Sequence, residues 1–176
     1  RYDAETVLAL ARSRGDALGV RHTGVWTTTL EQVECDCPVS MVSGVFGQPS
    51  DPCQLIGPAF GITGTPMIEA DGVLHMRLGL LSPTLGLELL GTIDDDGEVA
   101  VGEVSNLSSL VAELRTIVRL DGTIVDHEPD SLSGSWADLD GEVIARFDGQ
   151  LAEQRIECGA SYDIHAELAT SFPPPD

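Results

Sequence analysis

The side chains able to do chemistry are few and scattered. Four histidines, His22, His75, His127 and His165, fall on separate segments with no HxH, HExxH or His-Cys pairing. A metal or catalytic centre built on them would have to be assembled from distant strands. His75 and His165 read as ordinary strand residues. Ser133-Gly134-Ser135-Trp136 is not the G-x-S-x-G elbow of a serine hydrolase, and it lies in a strand-like run. The glycines between Gly57 and Gly64 are followed by no Lys and open no helix, so they do not form a phosphate loop. The chain contains no Lys at all, which removes Schiff-base chemistry and pyridoxal-phosphate attachment.

Two acidic words are more specific. Asp94-Asp95-Asp96-Gly97-Glu98-Val99 and Asp138-Leu139-Asp140-Gly141-Glu142-Val143 share the pattern D-x-D-G-E-V. Carboxylates at alternate positions before a glycine turn can converge on a hard cation such as calcium. Laid over an EF-hand loop, the first word puts Asp94, Asp96, Gly97 and Glu103 in register, but Thr92 stands where the first carboxylate belongs and no helix flanks it. The words therefore read first as solvated hairpin tips, with calcium as the alternative and no other cofactor expected.

Cysteine usage points to a compartment. Cys35, Cys37, Cys53 and Cys158 are an even set in a small domain, the arithmetic of two disulfides in an oxidising environment. Zinc would want two close pairs, and only the C-x-C of Cys35 and Cys37 is close. Those two share one face of a strand, and a bond between them would close a very tight ring, so each is expected to reach a different partner. The preferred pairing gives one bond to Cys53, closing the loop, and one to Cys158, tying the first strand to the last hairpin. An extracytoplasmic location, periplasmic, envelope or secreted, follows from that reading.

The elements that would hold these residues are mostly strands. Asp-Gly occurs five times, at 71, 96, 121, 140 and 148, in most cases between short runs rich in Val, Ile, Leu and Thr. Each such word predicts a hairpin turn, because a type I′ turn needs positive φ at both central residues. Strands are expected at roughly 24–35, 66–70, 73–80, 85–93, 98–104, 111–120, 123–127, 132–138, 142–148, 151–158 and 161–169. Several alternate between polar and apolar residues, as from Tyr162 to Leu168, and so are covered on one face. About eight to ten such strands predict an antiparallel up-and-down meander closed into a barrel, with a two-sheet sandwich second. Trp26 and Trp136 fall in the first long strand and a late one and are expected in the core.

Three segments depart from the meander. Asp3 followed by Ala4 to Arg14 and then Gly15 predicts an N-capped helix of about three turns, with Val7, Leu8, Leu10 and Ala11 as its apolar stripe. Residues 38–66 form a long Gly- and Pro-rich connection tied down by cysteine. Pro173 to Asp176 is an extended tail. The organisation expected is a docking segment over 1–20, one β-domain over 21–170 and a tail over 171–176. The chain opens on Arg1, which predicts a processed or trimmed end.

Composition narrows function. The 176 residues carry 29 Asp+Glu against 9 Lys+Arg, a net charge of -20, and every base is Arg. Such a chain repels polyphosphate and anionic lipid, so neither nucleic acid nor a membrane surface is an expected partner. No apolar run is long enough for a transmembrane helix. Eight aromatics are too few for the two girdles of an outer-membrane barrel. With no catalytic constellation, the expected function is non-enzymatic, a structural or protein-interaction subunit of an envelope or extracellular assembly that docks through its N-terminal helix or long loop. The strand count and meander order resemble lipocalin-like barrels, which implies as alternative a small apolar ligand in the barrel mouth. A hydrolase working through scattered carboxylates ranks last.

Overall fold

The computed structural model describes residues 3–37, 42–43, 49–50, 62–79, 86–108, 112–151 and 154–171. Among the described residues one helix, α1 (Ala4–Leu10), precedes ten strands: β1 (Gly24–Cys35), β2 (Val42–Ser43), β3 (Pro49–Ser50), β4 (Ile62–Ala70), β5 (Val73–Gly79), β6 (Gly86–Ile93), β7 (Glu98–Ser108), β8 (Ala112–Asp126), β9 (Ala137–Leu151) and β10 (Gln154–Ser171). Eight close a barrel in the order β1-β10-β9-β8-β7-β6-β5-β4, and β2 pairs with β3 in a separate two-stranded sheet. From β4 to β10 each strand pairs antiparallel with the next. β1 closes the ring between β10 and β4.

Alternation dictates which face points inward. Along β10, Ile156, Cys158, Ala160, Tyr162, Ile164, Ala166 and Leu168 are buried, while Arg155, Glu157, Asp163, His165 and Glu167 are exposed. β9 does the same, with Ala137, Leu139, Val143 and Ala145 inside and Asp140, Glu142, Arg146 and Asp148 outside. Charges therefore face out and apolar side chains in, the opposite of a lipid-facing barrel. No helix among the described residues is long and apolar enough to cross a membrane. Trp26, Leu74, Met76, Leu78, Leu89, Leu120 and Leu139 are sealed inside, and each such side chain contributes about 1.5–3 kcal/mol by leaving water.

The five Asp-Gly words do not share one conformation. Asp71-Gly72 is the expected turn, with φ of 46° and 81° between β4 and β5. Gly97, with φ of 85°, closes the turn between β6 and β7. The other three run through strands. Asp121-Gly122 lies within β8 and Asp140-Gly141 within β9, where Gly122 pairs with Gly141. A Cβ on Gly141 would come within 2.4 Å of Asp121 O, so these glycines allow two strand backbones to touch. Asp148-Gly149 also lies inside β9. The runs expected at 111–120 and 123–127 are thus one strand, as are 151–158 and 161–169. Residues 131–133 form a turn, so β9 begins only at Ala137.

The helix is shorter than expected. Asp3 caps it, its carboxylate accepting the Thr6 N–H at 2.8 Å. The chain tightens at Ala11, where the Arg12 and Ser13 N–H groups bond Ala9 and Leu10 carbonyls at 3.0 Å, so Arg12 and Arg14 fall outside α1. Of the expected apolar stripe only Val7 is buried, and Leu8 is 44% exposed. What ends the helix is the next segment, which turns to bond the hairpins at one end of the barrel.

Candidate functional site

Residues 13–23 form a strap across the barrel end that carries the β4–β5 and β6–β7 turns. The Gly15 N–H donates to Gly72 O at 2.8 Å, and the Ala17 N–H reaches Ile93 O at 3.4 Å. Asp16 and the β6–β7 turn exchange bonds: the Asp16 N–H donates to Asp94 Oδ1 at 3.2 Å and the Asp95 N–H to Asp16 Oδ1 at 2.8 Å. Gly19 and Asp71 do likewise, both at 2.9 Å. The sequence makes this possible by setting short acids at the hairpin tips, where a carboxylate can accept from passing backbone.

His22 is the centre of this plug. Its Nδ1 lies 2.8 Å from Glu69 Oε2 and its Nε2 3.0 Å from Asp126 Oδ1, while its backbone N–H donates to Glu69 Oε2 at 2.8 Å. The Trp26 indole N–H donates to His22 O at 3.1 Å, and the Arg21 guanidinium bonds Asp126 at 2.9 Å and lies 5.2 Å over the Trp136 ring. Glu69 is 2% exposed and His22 9%. Burial alone would push the imidazole pKa down, but the hydrogen bonds it donates to Glu69 and Asp126 overcome it, so His22 titrates above its ordinary value. Its ring is held between two carboxylates, one buried and one at the surface, an arrangement that favours the protonated form.

That geometry makes a latch and not a general base. Both ring nitrogens are engaged, so neither is available to take a proton from a substrate. The nearby hydroxyls are committed as well: Thr23 Oγ1 exchanges bonds with the Glu69 backbone at 3.2 and 2.9 Å, and Ser135 Oγ donates to Ala137 O at 3.2 Å. Outside the latch lies a depression of about 430 Å³, bordered by Leu18, Arg21, Asp94, Asp95, Asp96 and Val125.

The residues singled out in the sequence fall elsewhere. His75, His127 and His165 each meet a carboxylate, Glu88, Asp138 and Asp140 respectively, at the surface. Hydrogen bonds to the Glu128 carbonyl and Asp138 raise the His127 pKa, and the bond to Asp140 raises that of His165. The two acidic words occupy different settings. Asp94 and Asp96 sit in the β6–β7 turn, where Asp96 accepts the Glu98 N–H at 3.2 Å, whereas Asp138 and Asp140 lie near the start of β9 as partners of histidines. Glu103, the twelfth position of the calcium frame, lies in β7 and accepts the Glu88 N–H at 2.9 Å. Trp26 is in the core, as expected, and Trp136 is half-buried against it.

At the opposite end, Cys37 and Cys158 form a disulfide with a Cα separation of 4.9 Å, tying the chain just past β1 to β10. Cys35 is disulfide-bonded as well. Cys53 lies outside the described residues, as does most of the 38–66 connection. Asp36 stands beside Cys37 and Cys158, but two sulfurs bonded to each other supply no thiolate to a metal.

Four inward-facing oxygens form a second polar group, which the sequence reading missed. Thr28 Oγ1, Gln32 Oε1, Thr65 Oγ1 and Tyr162 Oη are enclosed with no hydrogen-bond partner among the described residues. Burial pushes the Tyr162 hydroxyl pKa up, so it stays neutral. The signal was present: Trp26, Thr28, Leu30 and Gln32 alternate along β1 with polar members on the covered face. Glu69 was legible in the same way, as the acid that follows Thr65 and Met67 on the inward parity of β4. Neither a protein-family model nor a curated protein matches this chain.

Proposed function

We propose that this barrel is a non-enzymatic interaction domain of an extracytoplasmic protein, and that it docks a protein partner through its strap-closed end. The observation that carries this reading is the apolar surface there. Leu18 in the strap is 86% exposed, Leu132 in the β8–β9 connection 97%, and Val20 and Val125 are exposed beside them in the chain or at the same end of the barrel. Single exposed leucines are ordinary, but several on one end of a chain of this charge mark a contact surface. The acids bordering the depression add a preference for a partner surface carrying Arg or Lys. The Cys37–Cys158 bond supports the oxidising compartment. The engagement of both His22 nitrogens supports a role without catalysis.

A photo-crosslinking residue placed at position 18 or 132 in the native host tests it. One discrete protein adduct is expected from both sites, and none from position 157 on the outer face of β10. Leu18→Asp with Leu132→Asp is expected to abolish the adduct at unchanged melting temperature. Equal labelling from all three positions, or no adduct, would sink the reading.

A further inference from the structure

The barrel wall is not laced evenly. β7, β8, β9, β10 and β1 pair along most of their lengths, with Glu98 to Ser108 of β7 matched to β8 throughout. The β5–β6 hairpin is different. Its two strands pair with each other from Val73–Thr92 to Gly79–Gly86, but β4 holds it only over Val73–Met76 and β7 only over Leu90–Ile93. Both attachments lie at the strap-closed end. From Arg77 to Gly79 and from Gly86 to Leu89 the hairpin has no strand partner on its outer edges among the described pairings. Glu103 stands at the β6–β7 gap, where its carboxylate takes the Glu88 N–H that a ladder bond would have used. Burial raises the Glu103 pKa ahead of the opposing effect of that bond.

The four unpartnered oxygens lie on β10, β1 and β4, three consecutive strands of the ring, and β4 is the strand that borders the hairpin through β5. Gln32 and Tyr162 are direct cross-strand partners, and Thr65 is diagonal to Thr28, whose partner on β4 is Thr63. The two groups are about 13 Å apart along β1 at about 3.3 Å per residue. A buried polar atom left without a partner destabilises a fold, and native proteins rarely keep such atoms without a reason. Here they form two groups, Gln32 with Tyr162 and Thr28 with Thr65, on the wall that leads to the loosely held hairpin.

We infer that the barrel interior is a binding site for a neutral small molecule that carries hydroxyl or amide groups on an apolar body, and that it enters past the β5–β6 hairpin. Thr28, Thr65 and Tyr162 supply hydroxyls that both donate and accept, and Gln32 an amide. The inner side of the hairpin supplies Met76, Leu78 and Leu89, all sealed inside when it is shut. No cation stands beside the oxygens on the described inner wall of β10, β1 and β4, so an anion would be buried unpaired and is disfavoured. The site is separate from the docking surface at the strap-closed end.

The test is native mass spectrometry of the protein purified from its own host, followed by denaturation and chemical analysis of what is released. The wild type is expected to carry a stoichiometric neutral adduct. The triple variant Thr28→Val, Thr65→Val, Tyr162→Phe is expected to purify without it and to melt, in the ligand-free state, at the same or a higher temperature, since it removes oxygens that bond nothing there. Tyr162→Phe alone, read by the same two measurements, covers the case in which the triple variant fails to fold. Leu18→Asp is expected to keep the adduct. A wild type with no adduct, an adduct retained by the variants, or a marked fall in the ligand-free melting temperature of Tyr162→Phe would overturn the inference.

Discussion

The two ends of the barrel treat buried polarity in opposite ways. At the strap-closed end His22, Glu69 and Ser135 are buried and each is hydrogen-bonded, the first two to each other. Along the wall beyond it Thr28 and Thr65 are as deeply buried, and their hydroxyls find no partner among the described residues. The wall laces follow the same division, since the β5–β6 hairpin is held by its neighbours only near the strap. A closed network of polar bonds fixes one arrangement, whereas unfilled bonding capacity beside a loosely held hairpin leaves room for another. The molecule thus has a fixed base and, beyond it, one hairpin that its neighbours hold only near that base.

The largest effect is expected from breaking the base. His22→Leu leaves the Glu69 carboxylate buried without its counter-ion, and loss of one partner of a buried pair costs about 3–5 kcal/mol. Urea unfolding should show that loss, and a midpoint unchanged from wild type would mean the latch is ornamental. Next comes the opposite end: joint replacement of Cys37 and Cys158 by Ser should cost about 2–5 kcal/mol, read by the same measurement.

A smaller effect is expected from pH. The folded His22 pKa lies above its unfolded value near 6.5, so its stabilising contribution is complete below about 6.5 and disappears as pH rises through the folded pKa. Wild type should therefore lose stability from neutral pH upward, and His22→Leu should flatten that part of the curve. His127 and His165 shift in the same direction, so the slope attributed to His22 is the difference between the two proteins. The most local effect is in hydrogen exchange. Amides of 86–89 should exchange faster than those in the centre of β8 and β9, and equal protection would remove the distinction between the two halves.

Much of the fold was legible in the residues, for a reason that also explains the misreadings. β1 was bounded at 24–35 because alternation and flanking glycine act locally, and Asp71-Gly72 behaved as a two-residue turn. Asp121-Gly122 and Asp140-Gly141 carry the same letters, but there the glycines are needed by each other, a pairing that only the barrel register creates. The latch was hidden in the same way. Glu69 and Asp126 lie 47 and 104 residues from His22, beyond any spacing rule. Only the acid on the inward parity of β4 advertised that a polar partner had to come from somewhere.

The seam between β1 and β10 has a consequence in time. It joins Gly24 to Ser171, so a barrel synthesised from its N-terminus cannot close until the last strand has appeared. Until then β1 offers an open edge on the side that β10 will cover, and such edges recruit other chains. Contacts this distant in sequence form slowly, and the Cys37–Cys158 bond spans 121 residues and must wait for the same strand. Closure of the ring therefore waits for β10, and the open edge of β1 lasts as long as that wait.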